Sequence, residues 1–234
     1  MAFFEKIIDW DQALFLSINS YHQPWLDRFM WLFSETLMWL PVLLFLVYVL
    51  IKNKKTQSFL LIFTFALLIL FTDQIASSLI KPLVERLRPT HDPEMGLLVN
   101  VVNNYKGGNF GFISSHAANV FAIAGLSLLF FRNWLYTIVI LLWAATVSYS
   151  RIYMGVHYPL DVIVGALFGF ISSVGFYYLY KVLIQKSTGI RIIADRRPKD
   201  MTSSNYKKSD LYILLIVLLL NVVTMLLASI KLAW

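Results

Sequence analysis

The sequence of 234 residues contains no cysteine and few charged residues. Without cysteine, disulfide bonds and thiolate chemistry are excluded, and the redox compartment stays undetermined. Charged residues make up 14% of the chain and hydrophobic residues 59%, whereas a soluble domain is nearer to a quarter charged and half apolar. Residues 1–11 carry three acids and lack the short apolar region of a cleavable signal peptide. This composition excludes an ordinary soluble domain.

In place of charge, the sequence has long apolar runs, several of which approach the roughly 20 residues that cross a bilayer as a helix. We therefore expect an all-α, polytopic membrane bundle with about six transmembrane helices, formed by residues 1–234 as a single domain. The predicted spans are 31–51 (interrupted by Pro41), 59–80, 115–131, 134–149, 159–183 and 211–230.

The segment before the first span has the pattern of an amphipathic helix. Apolar residues recur at spacings of three and four over residues 3–18, with Asp9, Asp11 and Gln12 between them. Such a helix lies along the membrane surface or packs on the bundle, and the pattern leaves both alternatives open.

The distribution of Lys and Arg predicts the orientation of the bundle. The net charge is +7, and twelve of the twenty Lys and Arg fall on one side of the predicted spans. Because positive loops stay in the cytoplasm, both termini and the long loop 82–113 are expected outside. A charge of this kind sets topology and is no indication of nucleic-acid binding. Helical spans favour a bacterial inner membrane, since outer-membrane proteins usually span as barrels.

Three polar clusters fall at the ends of predicted spans, all on the outer face in this topology. They are Lys81 with Arg88, then Ser114, Ser115 and His116, and then Arg151 with His157 and Asp161. Three cations beside a helix N-terminus suit the oxygens of a phosphate, because guanidinium forks, ammonium groups and free backbone N–H groups all favour an anion. The same donors stabilise a phosphoryl group during its transfer.

The spacing of the third cluster predicts a nucleophilic histidine. Pro159 favours the first position of a helix, so Asp161 falls in the first turn and reaches back to one ring nitrogen of His157. The other nitrogen is then free to attack phosphorus, by the orienting logic of a catalytic triad. His116 is the candidate acid for the leaving oxygen and the base that later activates water.

These motifs, Lys-x6-Arg-Pro, Ser-x-His and Ser-Arg-x5-His-x3-Asp, resemble those of the type 2 phosphatidic acid phosphatase (PAP2) superfamily over roughly residues 57–183. The resemblance implies a catalytic core in that range, a basic cytoplasmic loop at 184–210 and an extra C-terminal span. It also implies hydrolysis without a metal or other cofactor. The implied phosphate-binding residues are Lys81, Arg88, Ser114, Ser115 and Arg151, and the implied catalytic residues are His157, His116 and Asp161. Ser115 stands where the family usually has Gly. This replacement leaves the expected reaction class unchanged, but the family's substrate preference does not carry over to this chain.

The expected function is a metal-independent lipid phosphatase that forms a phosphohistidine, with undecaprenyl pyrophosphate as the first candidate substrate. Lipid A, phosphatidic acid and phosphatidylglycerol phosphate are alternatives. A vanadate-dependent haloperoxidase, a sugar-phosphate phosphatase and a non-enzymatic lipid-binding or transport protein are rival functions. The expected partners are a phosphorylated membrane lipid and the bilayer, without nucleic acid, and the oligomeric state is undetermined.

Other polar residues have simpler interpretations. His91, Asp92 and Glu94 are expected to be a solvated turn in preference to a metal site. The intramembrane residues Asp73, Gln74, Ser77 and Ser78 are expected to form a hydrogen-bonded stripe between helices in preference to a substrate site. Arg86 and Glu85 are interpreted as a surface pair, and the basic stretch 186–210 as a topological signal that can also attract anionic lipid.

Overall fold

A computed structural model describes residues 2–188 and 206–231 of the chain. The α-helices are α1 (Ala2–Asn19), α2 (Pro24–Ser34), α3 (Leu40–Gln74), α4 (Lys81–Val84), α5 (Ser115–Phe131), α6 (Trp134–Tyr153), α7 (Pro159–Thr188) and α8 (Lys208–Lys231). Tighter turns occupy Thr36–Trp39, Met95–Leu97 and Val102–Asn104, and a π-helical segment, Ile75–Ile80, joins α3 to α4. Most of the predicted basic loop lies outside the described residues.

The helices confirm a multi-pass membrane fold. Within the described ranges, four helical stretches are long and apolar enough to cross a bilayer: Gln57–Val84, Trp134–Tyr153, Pro159–Lys186 and Lys208–Lys231. A fifth is formed if Pro24–Ser34 and Thr36–Lys52, which meet at an angle of 71°, count as one broken span. The remaining predicted span, α5, is an apolar helix of 17 residues with the predicted bounds.

The first predicted span is wrong in its continuity. We expected one helix over residues 31–51 interrupted at Pro41, but the break lies at Glu35, whose backbone is extended (φ −72°, ψ 120°). Trp31 therefore belongs to α2. Pro41 does not interrupt α3, because it falls in the first turn, where the missing N–H leaves no helical hydrogen bond unmade.

Helix α3 is bent so sharply that it supplies parts of two spans. Ser58 Oγ donates a hydrogen bond to the Leu50 carbonyl at 2.7 Å, whereas eight residues of straight helix span about 12 Å. Lys52, before the bend, pairs with Asp210 at the start of α8, while Lys81, beyond the second arm, contacts Ser115 at the start of α5. The bundle thus has two ends, which we call the Lys52 end and the Lys81 end.

Close packing of α5 against α7 brings two predicted motifs together. A Cβ atom on Gly169 would lie 2.0 Å from the Ala118 carbonyl oxygen, and one on Gly165 would lie 2.5 Å from the Ser114 carbonyl oxygen. Small residues allow this approach of two helix backbones, as is common between membrane helices. The N-termini of α5 and α7 therefore lie side by side.

The long loop between α4 and α5 is closed at its base. The Arg88 N–H donates to the Asn109 carbonyl at 3.0 Å, and the Gly111 N–H donates to the Arg86 carbonyl at 2.8 Å. An isolated antiparallel bridge joins Leu87 to Phe110 between them. This pairing returns the chain from the first motif directly to the second.

Helix α1 packs on the bundle, which was one of the two alternatives left open by its sequence. Phe15 is buried, and its ring meets Tyr158 edge-on with centroids 5.4 Å apart. Asn19 donates to the Tyr153 carbonyl at 2.8 Å and accepts from the Asn100 N–H at 2.8 Å. The buried face also includes Asp11, so this helix is tied to the Lys81 end by both apolar and polar contacts.

Candidate active site

His157 lies in the short connection between α6 and α7, and Asp161 lies in the first turn of α7, as the sequence predicts. The two side chains are buried, with 3.4 Å between His157 Nδ1 and Asp161 Oδ2. Asp161 Oδ2 also accepts from the Tyr158 N–H at 3.1 Å. Because the carboxylate faces Nδ1, the tautomer with a proton on that atom leaves Nε2 with a free lone pair.

Burial and the surrounding cations keep the His157 imidazole neutral. Burial lowers the pKa of His157 well below its usual value, and the charges of Arg88, Arg151 and Lys81 lower it further. These cations come from two separate stretches of the chain, with Lys81 and Arg88 in one and Arg151 in the other. Their joint action on one ring shows that the structure brings the first and third motifs together.

The two arginines are almost fully buried, and backbone groups hold them. Arg88 donates from Nε to the Phe110 carbonyl at 3.2 Å and from Nη1 to the Val156 carbonyl at 3.3 Å. Gly107, with φ of +68°, lies so close that a Cβ atom there would be 2.7 Å from Arg88 Nη1. The loop therefore encloses the guanidinium group with no room for a larger residue.

Arg151, at the end of α6, retains unused hydrogen-bonding capacity. Its Nη1 donates to the Ser34 hydroxyl, and the Tyr105 ring centroid lies 5.6 Å from its guanidinium carbon. Across the part of the chain that the structure describes, its buried Nε has no hydrogen-bond partner. A buried donor of this kind is normally satisfied, so an anion at this site would complete its bonding.

The second motif places two hydroxyls and an imidazole at the start of α5. Ser114 is fully buried and caps the helix, because its Oγ accepts from the Ala117 N–H and its own N–H donates to the Asp161 carbonyl at 2.9 Å. Lys81 Nζ donates to Ser115 Oγ at 3.2 Å. His116 is partly buried and within electrostatic range of Arg151 and His157. The predicted residues thus converge, with Ser115 in contact with the lysine and Ser114 engaged in capping.

The prediction of an Arg86–Glu85 surface pair is wrong. Arg86 donates from Nη1 to Asp161 Oδ1 at 2.9 Å and from Nη2 to Asp11 Oδ2 at 2.6 Å. Spacing gave no signal for either contact, because each joins residues 75 positions apart. Asp11 lies on the buried face of α1 together with Phe15 and Asn19.

The remaining polar residues follow their simpler interpretations only in part. Asp92 accepts from the backbone N–H groups of Glu94 and Met95 at 3.0 and 2.9 Å, which is a local turn. No group of three potential metal ligands occurs among the residues that the structure describes. Asn119 donates to Asp73 at 3.2 Å and accepts from Thr72 at 2.7 Å, so Asp73 joins an interhelical hydrogen-bonded group. The predicted stripe is otherwise wrong for Gln74 and Ser78, which are exposed and bond to each other at 3.1 Å along the same helical stretch.

This arrangement can hold a tetrahedral anion and present a neutral imidazole to it. Three cations, the N-terminus of α5 and an unused Arg151 donor would surround the anion, and His157 lies among them with its second nitrogen oriented by Asp161. Phosphoryl transfer needs this combination of charge stabilisation and positioning. The fold and the site are those of a membrane phosphatase.

Comparison with known proteins identifies the family. Residues 59–185 match the family model described as the PAP2 superfamily, and the chain belongs to this superfamily. It is 41% identical over 178 residues to a lipid A 4′-phosphatase of Bacteroides thetaiotaomicron, covering 75% of this chain and 79% of that protein. It is also 30% identical over 168 residues to an undecaprenyl-diphosphatase of Sulfolobus acidocaldarius, covering 70% of this chain and 76% of that protein.

Solved structures agree with the fold. Aquifex aeolicus LpxE superposes with a TM-score of 0.54 at 29% identity, covering 71% of this chain and 93% of that one. A phosphatidylglycerolphosphate phosphatase from Bacillus subtilis gives 0.57 at 22% identity, covering 80% and 90%, and this likeness shows the fold alone. The resemblance noted in the motifs is therefore confirmed. The protein is a PAP2 membrane lipid phosphatase, and the haloperoxidase and non-enzymatic rivals are not supported.

Proposed function

We propose that the protein removes a phosphate monoester from the sugar headgroup of a lipid A-type glycolipid. The observation that carries this choice is the 41% identity to a lipid A 4′-phosphatase over 79% of that protein. A second lipid A 4′-phosphatase, from Porphyromonas gingivalis, is 39% identical over 181 residues. Undecaprenyl pyrophosphate, the first candidate from the sequence, has weaker support, and the lipid A alternative replaces it.

The first chemical step forms a phosphohistidine. The lone pair of His157 Nε2 attacks phosphorus, the bond from phosphorus to the sugar oxygen breaks, and His116 transfers a proton to that oxygen, which leaves as an alcohol. Asp161, 3.4 Å from Nδ1, stabilises the positive charge that develops on the imidazole. Lys81, Arg88 and Arg151 bind the phosphoryl oxygens, together with the N-terminal backbone of α5 and Ser115.

The second step releases inorganic phosphate. His116, now neutral, takes a proton from water as the water oxygen attacks phosphorus, and the phosphorus–nitrogen bond breaks. The electron pair of that bond returns to His157 Nε2, and the proton stays on His116 for the next turnover. Ser114 contributes by capping α5, which fixes the helix N-terminus beside Asp161.

The proposed location is a bacterial inner membrane with the site at the outer face. Lys52, Arg132 and Lys181 mark the Lys52 end of the bundle, and positive-inside orientation places that end in the cytoplasm. The Lys81 end, with the buried cations of the site, then faces the headgroups of the outer leaflet. Residues 189–205, which carry more of the basic charge, lie outside the described part of the chain.

The test is phosphate release by the purified protein with chelator present, using lipid A, undecaprenyl pyrophosphate, phosphatidic acid and phosphatidylglycerol phosphate in separate assays. We expect the highest kcat/KM on lipid A. We expect His157→Ala to lose at least about 10³-fold in activity, because the nucleophile is absent. His91→Ala, in the long loop and outside the proposed machinery, is the control and should retain activity. Full activity of His157→Ala would overturn the mechanism.

The second candidate substrate, undecaprenyl pyrophosphate, is tested in the same panel. The 30% identity to an undecaprenyl-diphosphatase is the observation that supports this lipid as a candidate substrate. A preference for this diphosphate over lipid A that disappears in His157→Ala would replace the proposed substrate and leave the proposed mechanism standing.

A further inference from the structure

Three charged side chains, Asp11, Arg86 and Asp161, form a buried network that connects helix α1 to the candidate nucleophile, and we call it the charge network. Asp11, in the middle of α1, accepts from Arg86 Nη2 at 2.6 Å, and Arg86 Nη1 donates to Asp161 Oδ1 at 2.9 Å. The other Asp161 oxygen, Oδ2, faces His157 Nδ1 at 3.4 Å. Asp11 lies outside residues 59–185, which match the superfamily, so its contribution comes from a part of the chain that the family match does not cover.

Further contacts hold the members of the charge network in place. Asp11 is 0% exposed, and its second oxygen accepts from the Leu160 N–H at 2.8 Å, in the first turn of α7. The Arg86 guanidinium carbon lies 4.2 Å from the centroid of the Tyr158 ring. A carboxylate on α1 is therefore fixed to both the arginine and the helix that carries Asp161. Such a fixed geometry leaves Asp161 little freedom to turn away from His157.

The sharing of one arginine by two carboxylates determines the net charge of the charge network. Arg86 paired with Asp161 alone would form a neutral couple, which would attract an imidazolium weakly. With Asp11 included, the charge network carries two negative charges and one positive charge. Asp161 Oδ2 faces His157 Nδ1, where positive charge develops as Nε2 bonds to phosphorus, and the net negative charge of the three side chains together favours that charge. The same excess is tolerable in a buried place because the arginine bridges both carboxylates.

We propose that Asp11 and Arg86 are positioning residues for phosphoryl transfer, which act through Asp161 to orient His157 and balance the charge it acquires. This inference rests on the roles proposed above for His157 and Asp161. It assigns to the N-terminal helix a function in the chemical step, beyond packing on the bundle.

The first test compares two asparagine substitutions on the same helix. Asp11→Asn keeps the shape of the side chain and removes its charge, while Asp9→Asn removes an exposed charge less than one turn away. Misplacing a catalytic group by about 1 Å can cost about 10²-fold in rate, and we expect Asp11→Asn to lower kcat by about tenfold with KM little changed. Asp9→Asn should match the wild type. An unchanged kcat in Asp11→Asn would overturn the inference.

The second test asks whether a second substitution, Asp11→Asn, restores activity to the Arg86→Gln variant. Arg86→Gln leaves Asp11 and Asp161 as two unbridged buried carboxylates, and we expect a larger loss of kcat than in Asp11→Asn. Adding Asp11→Asn to Arg86→Gln returns the net charge of the group to its wild-type value. The double variant should therefore be more active than Arg86→Gln alone, although Asp11→Asn is harmful in the wild type. A double variant that is no more active than Arg86→Gln alone would overturn the charge argument, because it would show no compensation between two residues that are bonded to each other.

The two proposals fail in different ways. Kinetics are measured on the panel lipid that the wild type hydrolyses fastest, so the inference does not depend on that lipid being lipid A. Full activity of His157→Ala would reject the proposed mechanism. An inactive His157→Ala together with a fully active Asp11→Asn would reject only the positioning role. Thermal unfolding of every variant in detergent identifies any loss of activity that comes from loss of fold.

Discussion

The two ends of the bundle both carry cations, but they hold them differently. At the Lys81 end, Arg88 and Arg151 are 7% and 4% exposed, and backbone carbonyls or a serine hydroxyl hold them. At the Lys52 end, the Lys52 side chain is 42% exposed, and Arg132 is an exposed helix cap that donates to the Tyr177 hydroxyl at 3.0 Å. Exposed cations suffice to set topology, so burial at the other end requires another reason.

Burial of a cation carries a desolvation penalty that only a close anion or a set of hydrogen bonds offsets. At the Lys81 end, the buried carboxylates of Asp161 and Asp11 are both already bonded to Arg86. Lys81, Arg88 and Arg151 therefore keep an excess of positive charge, which an incoming phosphate would balance. The degree of burial therefore distinguishes the cations that we propose bind substrate from those that we propose set orientation, where residue type alone does not.

Removing one arginine from each end gives the largest expected contrast. Arg151→Gln deletes a buried donor that we propose binds phosphate, and loss of one such group typically costs about 10²–10³-fold in rate. Arg132→Gln deletes an exposed cation, and we expect an effect of no more than about twofold. Steady-state phosphate release from the preferred lipid measures both. Equal effects of the two substitutions would remove the distinction between the two ends.

The contact between α5 and α7, which positions the Lys81 end, gives the next contrast. Gly169→Ala would place a Cβ atom 2.0 Å from the Ala118 carbonyl oxygen, so the two backbones must separate. Overpacking of this kind costs about 1–3 kcal/mol, and we expect lower thermal stability and lower activity together. Gly175→Ala is the matched control on the same helix, because a Cβ atom there meets nothing within 4 Å. Equal unfolding temperatures for the two variants would contradict the close contact.

The sequence allowed prediction of what depends on local pattern. Apolar length located the spans, and helix α5 has the bounds that its capping serine and apolar run predict. The motif spacings predicted which residues gather at the Lys81 end, and the structure brings Lys81, Arg88, Arg151 and His157 within electrostatic range of one another. These features follow from residues near one another in the chain or from an established motif.

Features that depend on tertiary contacts were not predictable. The break at Glu35 lies within a hydrophobic stretch, and nothing in the local pattern distinguishes it from the proline six residues later that does not break the helix. The Asp11–Arg86 pair joins residues 75 positions apart, so no helical or strand periodicity relates them. From sequence alone, an acid on an amphipathic helix is predicted to be solvated, and only the packing of that helix shows that it is buried.

The smallest expected effect concerns the pH dependence, and it tests whether the cations of the Lys81 end act on His157. Burial and then Arg88 lower the pKa of His157, so its imidazole stays neutral at a pH where an ordinary histidine would be protonated, as the proposed nucleophile requires. The acid limb of kcat/KM, which reports the free enzyme, should therefore lie below the usual histidine pKa. Arg88→Gln removes a cation that disfavours the imidazolium, so the pKa of His157 rises and the limb moves to higher pH.

The matched control for this shift is Arg88→Lys, which keeps the charge and loses the fork. Its rate should fall because the bonds to Phe110 and Val156 are lost, but its acid limb should stay near that of the wild type. The phosphate of the substrate titrates near pH 6 in every assay, so only the difference between the variants is interpreted. A limb that moves equally in both variants would show that geometry, and not charge, sets the ionisation of His157.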